Sequence, residues 1–165
     1  MNPTLDILLN RKSIRAFEKR DIEADVKTKI LEATLRAPTA GNMMLYSILD
    51  ITDQSIKNKL VKTCDDQPFI ARAPMVWVFI ADYQRWYDYF LLSGADTLSD
   101  EPMRKPEEGD LFLACSDTLI AAQNAVIAAE SFGLGSCYIG DIMENYEIHK
   151  DIFNLPPHVF PIGML

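Results

Sequence analysis

The sequence predicts a domain of mixed helices and strands that is organised around one long buried helix. Residues 111–132 contain no proline or glycine and are rich in alanine, leucine and isoleucine, so they predict a helix of about 33 Å. The apolar runs at residues 75–81 and 159–164 are typical of buried strands. Gly133 and Gly135 end the long helix and lead into a further apolar run, residues 137–139, which ends at Gly140.

The apolar residues of the long helix lie all round its axis, which predicts a helix buried on every side. These residues are Leu111, Leu113, Leu119, Ile120, Ala122, Val126, Ile127 and Ala129. Asp117, Gln123, Asn124 and Glu130 interrupt the apolar pattern, so we expect the helix to be too polar to span a membrane.

The remaining elements follow from local patterns along the chain. Asn2 and Pro3 predict the start of a short helix that runs to about Leu9, and Pro38 closes an amphipathic helix over residues 23–37. A strand is expected at 46–51, a helix capped by Asp53 at 55–63, a central strand at 75–81, an aromatic-rich helix at 83–92, a surface loop or lid at 96–110, a strand at 136–139, a helix near 146–153 and a last strand at 159–164.

Length, charge and cysteine content restrict the class of protein. The 165 residues suit one domain, and the net charge of −8 argues against a nucleic-acid or anionic-membrane partner. Three widely spaced cysteines predict neither a disulfide framework nor a zinc site, and they suit a reducing cytoplasm. The first ten residues lack the pattern of a secretory signal, so we expect a cytoplasmic protein.

Three polar segments could bind a ligand. Arg11, Lys12, Ser13 and Arg15 surround Ile14 and form a candidate anion site, although a solvated basic loop would show the same composition. The turn at residues 39–42 either offers hydroxyl and amide groups to a ligand or only precedes a strand. The Gln67 amide either contacts a heterocycle or is simply exposed.

Several familiar catalytic patterns are absent from the sequence. Gly133 and Gly135 lie between a predicted helix and a strand, whereas a dinucleotide-binding turn runs from strand to helix. His149 and His158 do not have metal-ligand spacing, and no metal site is predicted. Side-chain acid–base or nucleophilic catalysis therefore has little support, and a bound cofactor is the more plausible source of any chemistry.

Four segments in order resemble the FMN-dependent nitroreductase family, and most closely its oxygen-insensitive NADPH-nitroreductase and flavin-reductase branch. They are RKSIRAF (11–17), RAPTAGN (36–42), CDDQPFIARAP (64–74) and DTLIAAQNAVIAAESFGLGSCYIG (117–140). The resemblance implies an α+β fold with a mixed central sheet wrapped by helices. It also implies a homodimer with the long helix at the interface and FMN in clefts between the subunits.

The resemblance also implies a set of cofactor-binding residues. Arg11, Lys12, Ser13 and Arg15 would hold the phosphate, ribityl chain and pyrimidine edge, Thr39 and Asn42 would reach the flavin from the partner chain, and Gln67 would bond the pyrimidine end. The backbone of Tyr138, Ile139 and Gly140 would pass along the isoalloxazine near N5, where a glycine leaves room for the ring. Asp141 stands where close relatives have glycine, and its charge would disfavour a reduced anionic flavin.

The activity implied is an FMN-dependent oxidoreductase that carries hydride from NAD(P)H through flavin N5 to nitroaromatic, quinone or flavin acceptors in a ping-pong cycle. The alternatives are a flavin-binding or empty structural dimer without turnover, and a specialised flavin relative of the dehalogenase or flavin-destructase type whose lid is the loop 93–110. The chain ends with an apolar strand, so we expect it to lack the family's C-terminal extension, with weaker FMN binding as a result.

Overall fold

The computed structural model describes residues 2–98 and 100–165 and contains both helices and a small sheet. In this part of the chain the helices are α1 (Pro3–Asn10), α2 (Ala24–Leu35), α3 (Gln54–Thr63), α4 (Phe69–Arg72), α5 (Gln84–Leu92), α6 (Glu108–Ser131) and α7 (Tyr146–Phe153). The strands are β1 (Tyr46–Asp50), β2 (Trp77–Asp82) and β3 (Val159–Met164). The α+β class is therefore confirmed, and α7 and β3 have the predicted bounds.

The sheet has the order β1-β2-β3, with the most apolar strand in its centre. Residues 77–81 are all buried, because Trp77 and Phe79 face α6 while Val78 and Ile80 face a second cluster behind the sheet. This arrangement confirms the prediction of a central strand covered on both faces. Both strand pairs described are antiparallel, so the sheet is not the mixed one that we expected.

The predicted strand at residues 136–139 is wrong. Only Ile139 pairs with the sheet, through an isolated bridge in which its N–H donates to Met164 O at 2.8 Å and its carbonyl accepts from Met164 N at 3.0 Å. The residues before Ile139 bond elsewhere, since Ser136 O accepts from Ile14 N at 2.8 Å. Apolar residues are therefore present in this segment without the ladder that defines a strand.

Helix α6 packs one face on β2 and α2 and leaves the other face open. The small residues Ala121, Ala122 and Ala125 are buried, whereas the large side chains Leu119 and Phe112 are 45 % and 71 % exposed. The prediction of burial on every side is thus wrong for the single chain, because the apolar pattern does not show what covers each face.

The prediction that α6 is too polar to span a membrane also fails on composition. An 18-residue window of this helix is long and apolar enough to do so, and less than half of that window is buried inside the chain. Helix α6 nevertheless buries one face against β2 and α2, as a core helix of a globular domain does.

The loop expected at 96–110 contains a short 3-10 turn (Ala95–Thr97) and then leads into α6; Ser99 lies outside the described residues. Its end is well fixed, since Arg104 donates two hydrogen bonds to Asp110 at 2.6 and 2.7 Å. This pair lowers the pKa of the Asp110 carboxyl, with the hydrogen bond from Arg104 as the largest cause. A reciprocal cap between Glu107 and Asp110 begins the helix.

Candidate functional site

The basic pentad, residues 11–15, lies in extended chain after α1 and is held through its one apolar member. Ile14 N donates to Ser136 O at 2.8 Å, and the Ile14 side chain covers Gly135. A Cβ at position 135 would lie 2.5 Å from Ile14 Cγ1, so only glycine permits this approach. The contact places the pentad beside the segment that leads to Gly140.

The polar side chains of the pentad are available to a ligand. Lys12, Ser13 and Arg15 are exposed and Arg11 is half-buried. Within residues 2–98 and 100–165, no carboxylate pairs with the side chains of Arg11, Lys12 and Arg15, and no group accepts a hydrogen bond from these three side chains. The Arg15 guanidinium lies 6.0 Å from the centre of the Phe69 ring. Phe69 is the first residue of α4, a helix that was not predicted from the sequence.

Gln67 and Asp141 form the opposite part of the site. Gln67 follows two residues in the left-handed region, Asp65 and Asp66, and its Nε2 donates to Asp141 Oδ2 at 2.8 Å and to Cys64 O at 3.1 Å. Asp141 begins a 3-10 turn (Asp141–Met143) directly after Gly140. The Arg15–Phe69 contact and the hydrogen bond from Ile14 N to Ser136 O place the pentad next to the two segments that carry Gln67 and Asp141.

Tyr138, Ile139 and Gly140 differ in what they can offer a ligand. The Ile139 backbone is bonded to β3, and the Tyr138 ring packs directly on Gly163, with its buried hydroxyl unpartnered in the part of the chain described. Burial raises the pKa of Tyr138 to about 12. Gly140 is exposed, and its N–H has no acceptor among the described residues.

A buried histidine supports this side of the site, a role that the sequence analysis missed. Nδ1 of His149 lies 2.7 Å from Ile142 O and Nε2 lies 2.8 Å from Thr63 Oγ1, so the ring joins the Asp141 turn to the end of α3. Burial lowers the pKa of His149, which favours the neutral imidazole. Cys64 is also buried, and burial raises its thiol pKa to about 11.

The loop 39–45 is held mainly by side chains from distant elements. Asp117 of α6, which is 3 % exposed, accepts from Ala40 N at 2.9 Å and from Leu45 N at 3.3 Å. Trp86 Nε1 donates to Met43 O at 2.6 Å, and Thr39 Oγ1 accepts from Met44 N at 3.2 Å. Asp117 was noted in the sequence only as a polar interruption, yet an acid within an alanine-rich helix was a usable sign of a buried anchor.

The single chain does not bring Thr39 and Asn42 to the pentad. Their loop is bonded to Asp117, whereas the pentad is bonded to Ser136, just beyond the C-terminal end of α6. Asp117 and Ser131, the last residue of α6, are about 21 Å apart along the helix axis. Asn42 is exposed with φ +57°, and Gly41 and Met44 are also in the left-handed region. The predicted contribution of Thr39 and Asn42 from a partner chain stays a prediction.

Four well-defined cavities among the described residues do not contain the candidate site. The best defined has a volume of about 510 Å³ between α2, the end of α6 and residues 16–23, on the other side of Ile14. Of the eleven predicted site residues only Ile139 lines any of these cavities, one of about 30 Å³. The pentad, Gln67 and Asp141 therefore form an open surface in the single chain.

The chain is similar to known proteins in family, sequence and structure. The nitroreductase family model matches residues 8–165. The chain is 33 % identical to an oxygen-insensitive NADPH nitroreductase of Salmonella typhimurium and 31 % identical to an FMN reductase (NADPH) of Bacillus subtilis, in each case over 98 % of this chain and 63 % or 64 % of the relative. It superposes on the Vibrio harveyi NADPH:FMN oxidoreductase complexed with NAD+ with a TM-score of 0.85 at 27 % identity, covering 99 % of this chain and 66 % of that one.

These matches confirm the resemblance drawn from the four sequence segments. The chain spans somewhat less than two thirds of the length of the relatives that it matches. The family model covers nearly all of it, including the pentad, α6 and the turn at Asp141. The chain therefore belongs to the nitroreductase family.

Proposed function

We propose that this chain binds FMN at the surface formed by the pentad, Gln67 and residues 138–141, and works as an NAD(P)H-dependent oxidoreductase. The observation that carries the proposal is the set of unpaired cations beside that surface. The protein has a net charge of −8, yet Arg11, Lys12 and Arg15 lie together without a carboxylate partner in the described residues. An anionic ligand is the natural partner of such a group.

The polar groups present fit a phosphorylated heterocycle. The pentad cations and the Ser13 hydroxyl would hold the phosphate and the ribityl chain, and one of the cations would lie near the pyrimidine edge. The Gly140 N–H and the Gln67 carbonyl oxygen would face the ring system, and both lack protein partners in the part of the chain described. Apart from the chain neighbours of Gly140, the one described residue within 4 Å of an added Cβ is Met143, with its Cε at 3.8 Å, which leaves room for a flat ring.

Bound FMN would supply hydride chemistry at N5, first from NAD(P)H and then to nitroaromatic, quinone or flavin acceptors, in two half-reactions. The residues of the chain need not act as acids or bases. Arg11, Lys12 or Arg15 would stabilise negative charge that accumulates at N1 and O2, since fixed charges and N–H donors aimed at that region need no rearrangement during the reaction.

The site would be completed in a homodimer. The uncovered face of α6 carries large apolar side chains, and α1 exposes more; they are Leu111, Phe112, Leu113, Leu119, Ile120, Leu5, Leu8 and Leu9. Exposed apolar side chains of this number and size mark interaction sites. A second chain on this face would bring its loop 39–45, with Thr39 and Asn42, toward the open surface described above. We place the protein in the cytoplasm on its cysteine content.

The experiment that tests the function is an absorbance spectrum of the purified protein with one equivalent of FMN, followed by anaerobic addition of NADPH and, separately, NADH. Flavin bands that stay with the protein through gel filtration and bleach with a reduced nicotinamide support the proposal. Reoxidation by a nitroaromatic or a quinone completes the cycle.

The opposite outcomes separate the alternatives. Protein that stays colourless after incubation with FMN contradicts the cofactor assignment. Protein that keeps FMN but does not bleach supports a flavin-binding dimer without turnover. The Asp141 carboxylate next to Gly140 favours this alternative, because its negative charge opposes a reduced flavin that is also negative.

A further inference from the structure

The side-chain amide of Gln67 has both of its N–H groups engaged by the protein. One donates to Cys64 O at 3.1 Å and the other to Asp141 Oδ2 at 2.8 Å. A primary amide has two N–H donors, and neither a carbonyl nor an ionised carboxylate can donate in return. Turning the amide by 180° would set its oxygen against two acceptors, so the two contacts determine which atom points outward.

The outward atom is the Gln67 carbonyl oxygen. It has no donor among the residues that the structure describes, and the side chain is half-buried at the open surface beside the pentad. Position 67 therefore presents an acceptor and no donor to a ligand. This polarity differs from that of an unrestrained glutamine, which can turn either end of its amide toward a ring.

Both partners of the Gln67 amide are held in place from behind. The carbonyl of Ile142, in the Asp141 turn, lies 2.7 Å from Nδ1 of buried His149, whose Nε2 lies 2.8 Å from Thr63 Oγ1 next to Cys64. Asn145 Nδ2 also donates to Thr63 O at 2.7 Å. The end of α3 and the turn after Gly140 are thus tied together by two side chains, so the acceptor pair that holds Gln67 is preorganised.

We propose that Asp141 is a positioning residue that locks the Gln67 amide with its oxygen outward, so that position 67 selects a heterocycle with a ring N–H. This inference rests on the proposed FMN site, because a flavin carries one such N–H, at N3 between two carbonyls. It assigns Asp141 a role in ligand selection through Gln67, in addition to any effect of its charge.

The test compares FMN with its N3-methyl derivative, which lacks the ring N–H, in fluorescence-quenching titrations of the full chain. Wild-type protein should bind the methylated flavin at least tenfold more weakly, since the Gln67 oxygen would lose its donor. Asp141→Ala should reduce this ratio to about threefold or less, because the freed amide can turn. Asp141→Asn is the matched control: its amide oxygen can still accept from Gln67 Nε2, so it should keep the wild-type ratio without the charge.

A second measurement examines the lock without any flavin. In ¹⁵N–¹H spectra of the ligand-free protein, the Gln67 side-chain N–H signals should be shifted from those of exposed glutamines in wild type and Asp141→Asn, and should move to the exposed values in Asp141→Ala. An unchanged Gln67 signal or an unchanged discrimination ratio in Asp141→Ala overturns the lock. A wild-type protein that binds no FMN overturns the proposed function and the acceptor role with it, while the spectra still decide whether Asp141 holds Gln67.

Discussion

The pentad and the loop 39–45 are both polar segments assigned to the flavin, but the structure holds them in opposite ways. The pentad is extended, and Ile14 fixes it through one backbone hydrogen bond and its contact with Gly135. The loop contains three left-handed residues and is held by side chains of α5 and α6, including buried Asp117. One segment leaves its polar side chains free, and the other has its backbone bonds already satisfied.

This difference indicates that ligand binding and folding depend on different residues. Free cations on an extended segment contribute little to the folded state and gain their partner only when an anion binds. A loop with left-handed non-glycine residues costs about 1–3 kcal/mol at each such position and persists only when other contacts hold it. We therefore expect substitutions in the loop's anchors to lower stability and substitutions in the pentad to lower affinity.

The largest effect is expected from Asp117→Ala. This change leaves the buried Leu45 N–H and the half-buried Ala40 N–H without an acceptor, at about 1–3 kcal/mol for each group, so we expect a loss of about 3 kcal/mol in the free energy of unfolding. Urea unfolding at a fixed protein concentration measures it, because a dimer would make the midpoint depend on concentration.

A matched control for this substitution is Asp25→Ala on α2. Asp25 is exposed, and its one ion pair among the described residues is with Lys29 at 3.3 Å, so its removal should change the unfolding free energy by less than about 0.5 kcal/mol. Equal losses from Asp117→Ala and Asp25→Ala would show that the loop does not depend on its buried anchor.

The next effect is expected from Gly135→Ala, which acts on the attachment of the pentad. The new Cβ would lie 2.5 Å from Ile14 Cγ1 and 3.1 Å from Ile14 Cβ, so the segment must move and about 1–2 kcal/mol of stability should be lost. Gly109→Ala is the control, because nothing lies within 4 Å of its added Cβ and alanine favours a helix.

A double-mutant cycle locates the cause of the Gly135→Ala effect. Ile14→Ala removes Cγ1, so adding it to Gly135→Ala should cost less than adding it to the wild type. Thermal unfolding of the four proteins measures this coupling. Strict additivity of the two substitutions would contradict the contact between Ile14 and Gly135.

The contrast between these segments also explains how far the sequence could predict the structure. Strand β2 and helix α7 were predicted because their signals are local and each lies within one short run of residues. The pentad is an equally local signal of five adjacent residues, and its role toward a ligand stays a prediction. The Asp117 and Gln67 contacts join residues 72 to 77 positions apart, and no local pattern shows them.

Two errors have related physical causes. The apolar run near Ile139 has the composition of a strand, but the Ser136 carbonyl is bonded to the pentad instead of to a neighbouring strand. The apolar pattern of α6 predicted burial on all sides, whereas the single chain covers only the face that carries its alanines. In both cases the missing information is which segment lies alongside.

A smaller effect is expected on FMN affinity from Arg15→Ala. Loss of one charge-assisted contact should weaken binding about tenfold, while the unfolding free energy stays nearly constant because Arg15 is exposed and has no carboxylate partner in the described residues. Arg20→Ala, an exposed arginine outside the pentad, should change the dissociation constant less than twofold. Equal losses in the two variants, measured by flavin fluorescence quenching, would count against the phosphate assignment.

The smallest effect is a difference in hydrogen exchange between the two segments when FMN is removed. Without the ligand, the amides of Lys12 and Ser13 should exchange quickly, whereas those of Ala40, Met44 and Leu45 should be slow because their N–H groups are already bonded to Thr39 and Asp117. Adding FMN should slow exchange mainly in peptides covering the pentad, since only that segment becomes ordered by its partner. Mass spectrometry of exchange with and without FMN measures both segments at once. Equal slowing in both would mean that the loop is also ordered by the ligand, and that its anchors on α5 and α6 do not by themselves hold it in the conformation seen here.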